Sequence, residues 1–234
     1  MARLMAAAAC LFAIGAAADG AASAQASRAP LQRFLARAEE PPVAYRALRH
    51  LEARNDRFHA RAWMDVWTEF DEAHGMRFEV VAEGGNGYIR SHVLHAALEG
   101  EQKMWEAHAP QRASLTEENY RFEATRPVAD GLAPLDVKPR RKDVLLVDGT
   151  LYVDAGDGEL RRIEGRLSKT PSFWTRSVEI VRSYRRMAGV RVPVSIESVA
   201  HVLVAGRSTF AMTYAYQTIN GQHVGDPTPA GDRP

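Results

Sequence analysis

Cysteine and lysine are scarce in this chain of 234 residues, and neither acidic nor basic residues are in excess. Cys10 is the only cysteine, so the remainder of the chain has no thiol nucleophile, no cysteine-ligated metal and no disulfide. The 30 basic residues, only four of them lysine, are balanced by 29 acidic ones, for a formal net charge of +1. Such a balance gives no long-range field that would attract nucleic acid. The 46% of hydrophobic residues is typical of a soluble globular protein.

Long hydrophobic runs are also missing. The apolar stretch Leu4–Ala18 follows a short basic start and is shorter than the about 20 residues that span a bilayer. It is followed by Ala24-Gln25-Ala26, a small-x-small pattern typical of a signal-peptidase site. We therefore predict a signal peptide over residues 1–26 that is cleaved after Ala26, a single domain over 27–224, a flexible tail over 225–234, and a location in the bacterial periplasm.

The common catalytic motifs are absent from the sequence. It contains no Gly-rich phosphate loop, no Gly-x-Ser-x-Gly elbow and no His-Glu-x-x-His. His92 and His95 lie three residues apart on a predicted helix, which keeps open a metal hydrolase as a minor alternative. Partly exposed histidines on a helix face are favoured, because no carboxylate stands at matching spacing. We therefore predict a protein that is not an enzyme and that needs no cofactor or metal.

The first half of the chain alternates between helical and strand patterns. Apolar spacing predicts a helix from Leu31 to Ala38, ended by Pro41-Pro42, and a second helix that starts with Ala44, Leu48 and Leu51. A two-residue period then predicts a long strand over 58–70 and a returning strand over 76–81. Helical spacing resumes at Ile89 and continues to about His108.

The second half is mostly β-structure. We predict strands over 120–125, 160–167, 177–187, 194–204 and 209–219, and a loop over 127–141. Asp148-Gly149 predicts a tight hairpin between strands 144–147 and 151–153, because Asp-Gly supplies the positive φ angles of a type I′ turn. Short turns between neighbouring strands predict an antiparallel meander. The fold class is therefore α+β, with a strongly curved antiparallel sheet whose concave face is covered by the N-terminal and inserted helices.

Large apolar side chains recur on single faces of these elements. They form either a packed core or the lining of a cavity, and methionine and aromatic groups suit acyl chains of variable shape. Each methylene that such a cavity removes from water contributes about 0.8 kcal/mol. The predicted cavity residues are Met64, Val66, Phe70, Leu98, Met104, Trp105, Phe173, Trp174, Phe210, Met212 and Tyr214.

Two segments of the sequence resemble the LolA-like periplasmic proteins that sort outer-membrane lipoproteins. Tyr184–Ile196 has the pattern of a strand, a turn at Gly189 and a strand opening at Val-Pro, which is similar to a late part of the sheet in those carriers. Lys169–Trp174 is also similar to a segment in this wider group. The resemblance implies an unclosed half-barrel that binds acyl chains or lipoproteins. It further implies a lid-latching arginine in the early strands, for which Arg61 and Arg90 are candidates that nothing in the sequence separates.

Two functions from different classes follow from these observations. The first is a non-catalytic periplasmic carrier for lipid acyl chains or lipoproteins. The alternative is an envelope sensor or adaptor that uses the same half-barrel to bind a protein partner in the envelope membrane. Neither function involves nucleic acid.

Overall fold

Eleven strands account for most of the residues that the structure describes. The computed structural model describes residues 28–37, 41–106, 110–124 and 128–229. Helix α1 covers residues 28–36, and α2 is one continuous helix with an α-helical start at Gly87–Ile89, a π-helical section at Arg90–His95 and an α-helical end at Ala96–Glu106. The short helix α3 is Pro110–Ala113. The strands are β1 Ala44–Asn55, β2 Ala60–Asp71, β3 Gly75–Gly85, β4 Tyr120–Glu123, β5 Leu132–Pro139, β6 Val147–Asp154, β7 Leu160–Leu167, β8 Thr175–Met187, β9 Val190–Val202, β10 Gly206–Ile219 and β11 Gln222–His223.

All the strands belong to one antiparallel sheet. Its order is β3-β2-β1-β10-β9-β8-β7-β6-β5-β4, and β11 adds to β10. Consecutive strands are neighbours except β3 and β4, and β1 pairs with β10, so the first hairpins join the end of the later meander. Strands β3 and β4 remain at the two edges, and the sheet is not closed. The predicted fold class, an α+β unclosed half-barrel, is confirmed.

The predicted second helix was wrong, because this segment forms strand β1. Ala47, Leu48 and Arg49 are consecutive and all buried, which happens when a strand is covered on both faces. Leu48 and Leu51 belong to opposite faces of the sheet, since side chains alternate along a strand. Burial on both faces therefore produced an apolar spacing that resembled a helix.

The predicted loop over 127–141 and the Asp148-Gly149 hairpin were also wrong. Residues 132–139 form strand β5, and β6 runs straight through Asp148 and Gly149. Gly149 is opposite Gly165 in β7, and a Cβ at Gly149 would lie 2.1 Å from the carbonyl oxygen of Glu164. Gly149 is thus required by the close approach of two strands and not by a turn.

Two helices cover different halves of the inner face of the sheet. Helix α2 packs on β1, β2, β3 and β10, where it buries Ile89, Leu94 and Leu98. Helix α1 packs on the sheet from β4 to β7 through Phe34.

Helix α1 is held on the turn between β6 and β7 by charged and backbone contacts. Arg33 and Arg37 donate to the carbonyl oxygens of Ala155 and Asp157, at 2.7 and 2.9 Å. Arg37 also pairs at 2.9 Å with the buried Glu159. Because α1 and α2 cover different halves of the inner face, a gap remains between these two helices.

Candidate functional site

A cavity of about 630 Å³ lies between the two covering helices, on the inner face of the sheet. Its volume falls within the range of about 300–1,000 Å³ that is usual for ligand pockets. Three parts of the fold line it: the covering helices with the segments after α1 and α3, the inner face of β1 and β10, and the inner face of β8 and β9. These side chains include Phe34, Leu35, Pro41, Pro42, Tyr45, Arg49, Glu101, Trp105, Leu115, Tyr184, Arg191, Pro193, Tyr214 and Tyr216.

The buried arginine Arg49 joins the sheet to helix α2 at the wall of this cavity. Its side chain is 1% exposed, and its Nη1 and Nη2 atoms donate to the two carboxylate oxygens of Glu101 at 2.6 and 3.1 Å. Nη2 also donates to the hydroxyl of Tyr45 at 2.8 Å. The guanidinium lies over the ring of Tyr214, 4.6 Å from its centroid. Arg49 therefore fastens the last turns of α2 to the middle of β1 by charge-assisted hydrogen bonds.

The tyrosines around Arg49 are neutral at physiological pH. Burial raises the pKa of Tyr45 to about 12, although Arg49 acts in the opposite direction. Burial likewise raises the pKa of Tyr214 and of Tyr216. All three hydroxyls on the cavity wall therefore remain protonated and able to donate hydrogen bonds.

Eight of the eleven predicted cavity residues come together around helix α2. Five of them are buried in the cluster beneath this helix, and three are half-buried against it. Within this group, Trp105 and Tyr214 line the cavity. The other six pack against the helix or the sheet; they are Met64, Val66, Phe70, Leu98, Phe210 and Met212.

The remaining three predicted residues lie apart from this cluster. Met104 is half-buried on α2 beside Trp105. Phe173 and Trp174 are 87% and 56% exposed in the loop between β7 and β8, where their rings contact each other edge to face. The structure thus does not bring Phe173 or Trp174 to the cavity.

Sequence reasoning missed the polar centre of the site, Arg49, Glu101 and Tyr45. Arg49 fell in a segment predicted to be helical, and Glu101 is 52 positions away along the chain. The two candidate latch arginines lie elsewhere: Arg61 is exposed, and Arg90 pairs with Glu83 at 2.7 Å on the edge strand β3. A strand prediction for 44–55 would have placed Arg49 on the same face as Leu51, and this is the signal that could have found it.

The histidines of α2 are engaged in local contacts. His92 stacks on Tyr88, with ring centroids 4.2 Å apart, and Nε2 of His95 lies 3.1 Å from a carboxylate oxygen of Glu83. Within the described ranges there is no group of three or more His, Cys, Asp or Glu residues placed to hold a metal ion. In the same part of the chain, no helix has the length and apolar character needed to cross a membrane.

Solved structures that match this chain include the following two. One is a LolA superfamily protein from Nitrosomonas europaea, at 9% identity and a TM-score of 0.38, with 81% of this chain and 91% of that chain covered. The other is a putative outer membrane lipoprotein-sorting protein domain from Vibrio parahaemolyticus, at 11% identity and a TM-score of 0.38, with 83% and 92% covered. No family model and no curated protein matches the sequence.

Proposed function

We propose that this protein is a non-catalytic periplasmic carrier that binds the acyl chains of lipids or lipoproteins in the cavity between α1 and α2. The observation that carries the proposal is the cavity itself. Its wall combines rings and aliphatic groups from Phe34, Trp105, Leu115 and Pro193 with polar and charged groups from several elements. Walls of this composition favour a ligand with a long apolar part.

The Arg49–Glu101 ion pair would hold such a cavity closed. Glu101 belongs to the helix and Arg49 to the sheet, so the pair resists movement of the end of α2 away from β1. An entering acyl chain would displace this part of the helix and gain about 0.8 kcal/mol for each methylene that leaves water. When the cavity is empty, the closed pair would keep its apolar wall away from solvent.

The test is lipid binding by the full chain. Native mass spectrometry of protein purified from its own host should show copurified lipid, and delipidated protein should take up a fluorescent fatty acid. A variant that fills the cavity, Leu115→Trp, should lose this uptake, whereas Val128→Trp, which adds the same side chain at an exposed site, should retain it. Lipid-free protein that takes up no fatty acid would contradict the proposal.

Two further outcomes concern the location and the alternative function. N-terminal sequencing of protein isolated from the periplasm should begin at Ser27, and a start at Met1 would contradict the predicted cleavage. Residues 1–27 lie outside the described part of the chain. A stoichiometric envelope protein captured from periplasmic extract, without any lipid, would instead favour the sensor or adaptor.

A further inference from the structure

A second arginine, Arg182, lies on the inner face of the sheet close to the cavity. It stands on β8, opposite Ile163 of β7 and Ile196 of β9. Electrostatically it interacts with Tyr184, Tyr214 and Glu101, which all line the cavity. Its Nε atom is buried and has no hydrogen-bond partner.

Cations outnumber carboxylates at this place: Arg37, Arg49 and Arg191 line the cavity with Glu101 and Glu117, and Arg182 lies beside them. Both oxygens of Glu101 are bound by Arg49, so the carboxylate that interacts with Arg182 already has an arginine partner. One carboxylate thus faces two guanidinium groups. A half-buried cation whose carboxylate partner is already bound by another arginine is unfavourable, and it becomes favourable when an anion with matching hydrogen-bond geometry is bound. The planar fork of arginine matches a carboxylate or a phosphate group.

We propose that the ligand of the cavity is an anionic amphiphile, whose single acidic headgroup pairs with Arg182 while its hydrocarbon chain lies along Trp105 and Phe34. This inference rests on the proposed carrier function and specifies its ligand class. The shared chemistry is that of a fatty acid or an alkyl phosphate. Neutral lipids with the same chain would lack the contact with Arg182.

The experiment compares ligands that differ only in the headgroup. Palmitate, hexadecyl phosphate and hexadecanol are titrated into delipidated full-length protein below their micelle concentrations, and each displaces the neutral probe N-phenylnaphthylamine. We expect at least one of the two acids to bind tenfold or more tightly than the alcohol, and a preference for one acid identifies the headgroup.

Variants of β8 assign this preference to Arg182. Arg182→Gln should abolish the difference between acid and alcohol, and its affinity for the alcohol should stay unchanged. Arg185→Gln, at an exposed site on the same strand, should keep the wild-type preference. Arg182→Lys keeps the charge and should keep part of the preference if Arg182→Gln fails to fold.

The possible failures are distinguishable. If hexadecanol and both acids bind wild-type protein equally well, the carrier function stands and the anionic ligand is refuted. If none of the three displaces the probe, the carrier function itself is refuted. If Arg182→Gln folds and keeps the full preference, Arg182 does not recognise the headgroup.

An independent observation concerns three loops at one end of the sheet. The β1–β2 turn, the β7–β8 loop and the β9–β10 turn contact one another: the amide of Leu203 donates to the carbonyl of Trp174 at 2.8 Å, and Arg57 donates to the carbonyl of Val204 at 2.7 Å. The three loops together expose a set of large apolar side chains, Phe58, Phe173, Trp174, Leu203 and Val204. This set is called the apolar tip below.

The surroundings of the apolar tip are strongly basic, although the whole chain is almost neutral. The segments 54–61, 168–176 and 201–207 contain six arginines and lysines and one acidic residue, Asp56. That aspartate is paired with Arg207 at 2.9 Å. Exposed aromatic and aliphatic groups surrounded by cations are complementary to the interface of an anionic bilayer, where aromatic rings lie at headgroup level and basic groups meet lipid charges.

We infer that the apolar tip docks on the surface of an anionic membrane. In vesicle sedimentation, wild-type protein should bind vesicles of phosphatidylcholine containing one-third phosphatidylglycerol at least tenfold more than vesicles of pure phosphatidylcholine. The double variant Phe173→Ser/Trp174→Ser should lose this binding. The matched control Val43→Ser, which removes an exposed apolar side chain at the opposite end of the sheet, should retain it.

Three results would overturn the membrane assignment. They are no binding to anionic vesicles, equal binding to both kinds of vesicle, or unchanged binding of the double variant. A stoichiometric protein partner that is lost with the double variant, in the absence of vesicle binding, would make the apolar tip a protein-docking surface.

Discussion

Removing the carboxylate of Glu101 should destabilise the protein through the arginine that it leaves behind. In Glu101→Gln, Arg49 remains charged and 1% exposed, but it loses one of two charge-assisted hydrogen bonds and its counter-ion. Breaking a fully buried pair costs about 3–5 kcal/mol. The Glu101 side chain is 23% exposed, so water screens part of this effect, and we expect a loss of about 2–3 kcal/mol in the free energy of unfolding.

Urea unfolding followed by circular dichroism measures this loss, and a double-mutant cycle assigns it to the pair. Arg49→Met combined with Glu101→Gln should be more stable than the sum of the single changes predicts, because no unpaired charge is left in the interior. Glu99→Gln, on an exposed position of the same helix, should change stability by less than about 0.5 kcal/mol. A change as small as this for Glu101→Gln, or additivity in the cycle, would refute the role of the pair in holding α2 on the sheet.

The other predictions concern the core, two glycines and the response to acid. Leu98 has no exposed surface beneath α2, so Leu98→Ala should lower the free energy of unfolding in urea by about 2–5 kcal/mol. Val93→Ala, at an exposed position on the same helix, should lower it by less than about 0.5 kcal/mol. Similar losses for the two variants would contradict the packing of α2 on the sheet. Gly149→Ala should lower the midpoint of thermal unfolding, because its Cβ would meet the backbone of Glu164. Gly100→Ala, in open space on α2, should instead raise the free energy of unfolding by about 0.5–1 kcal/mol. If Gly149→Ala were the stabilising variant and Gly100→Ala the destabilising one, β6 and β7 would not be in close contact. The pKa of Asp154 is lowered because the backbone amides of Gly156 and Asp157 donate to its carboxylate. Its contribution to stability is therefore present above about pH 4, the unfolded-state value, and is lost as the pH falls through the lower folded-state pKa. The stability difference between wild type and Asp154→Asn should shrink over that acid range, and a difference independent of pH would contradict this.

The sequence was most informative where one face of a strand is apolar and the other polar. The alternation over 58–70 and 209–219 predicted strands that the structure contains as β2 (Ala60–Asp71) and β10 (Gly206–Ile219). Burial on one face is enough to produce this period, so the signal needs no knowledge of the partner strands. The same reasoning failed for β1, because Leu48 is buried on the face opposite to that of Ala47, Leu51 and Ala53, so the buried apolar residues do not alternate strictly.

Glycine and proline signals were ambiguous for a related reason. Asp148-Gly149 has the residues of a tight turn, and Pro134 and Pro139 are usual in loops, yet all four lie within β5 and β6. A glycine is required both by a positive φ angle and by the close approach of another backbone. Only the position of β7 distinguishes these two requirements, and that position depends on pairing across the sheet.

The sequence allowed an apolar cavity between sheet and helices to be predicted, but not the charged and polar residues that line it. Periodicity and composition alone predicted an antiparallel sheet covered by helices, and they left open whether its aromatic and methionine side chains form a packed core or line a cavity. Tertiary structure decided that Arg49 meets Glu101 and that Arg182 stands beside the same cavity, where Glu101 is already bound by Arg49. The reason is physical: an apolar residue is stabilised by any burial, so its local pattern is sufficient, whereas a charge is tolerated in the interior only beside particular partners, and folding brings those partners from distant parts of the chain.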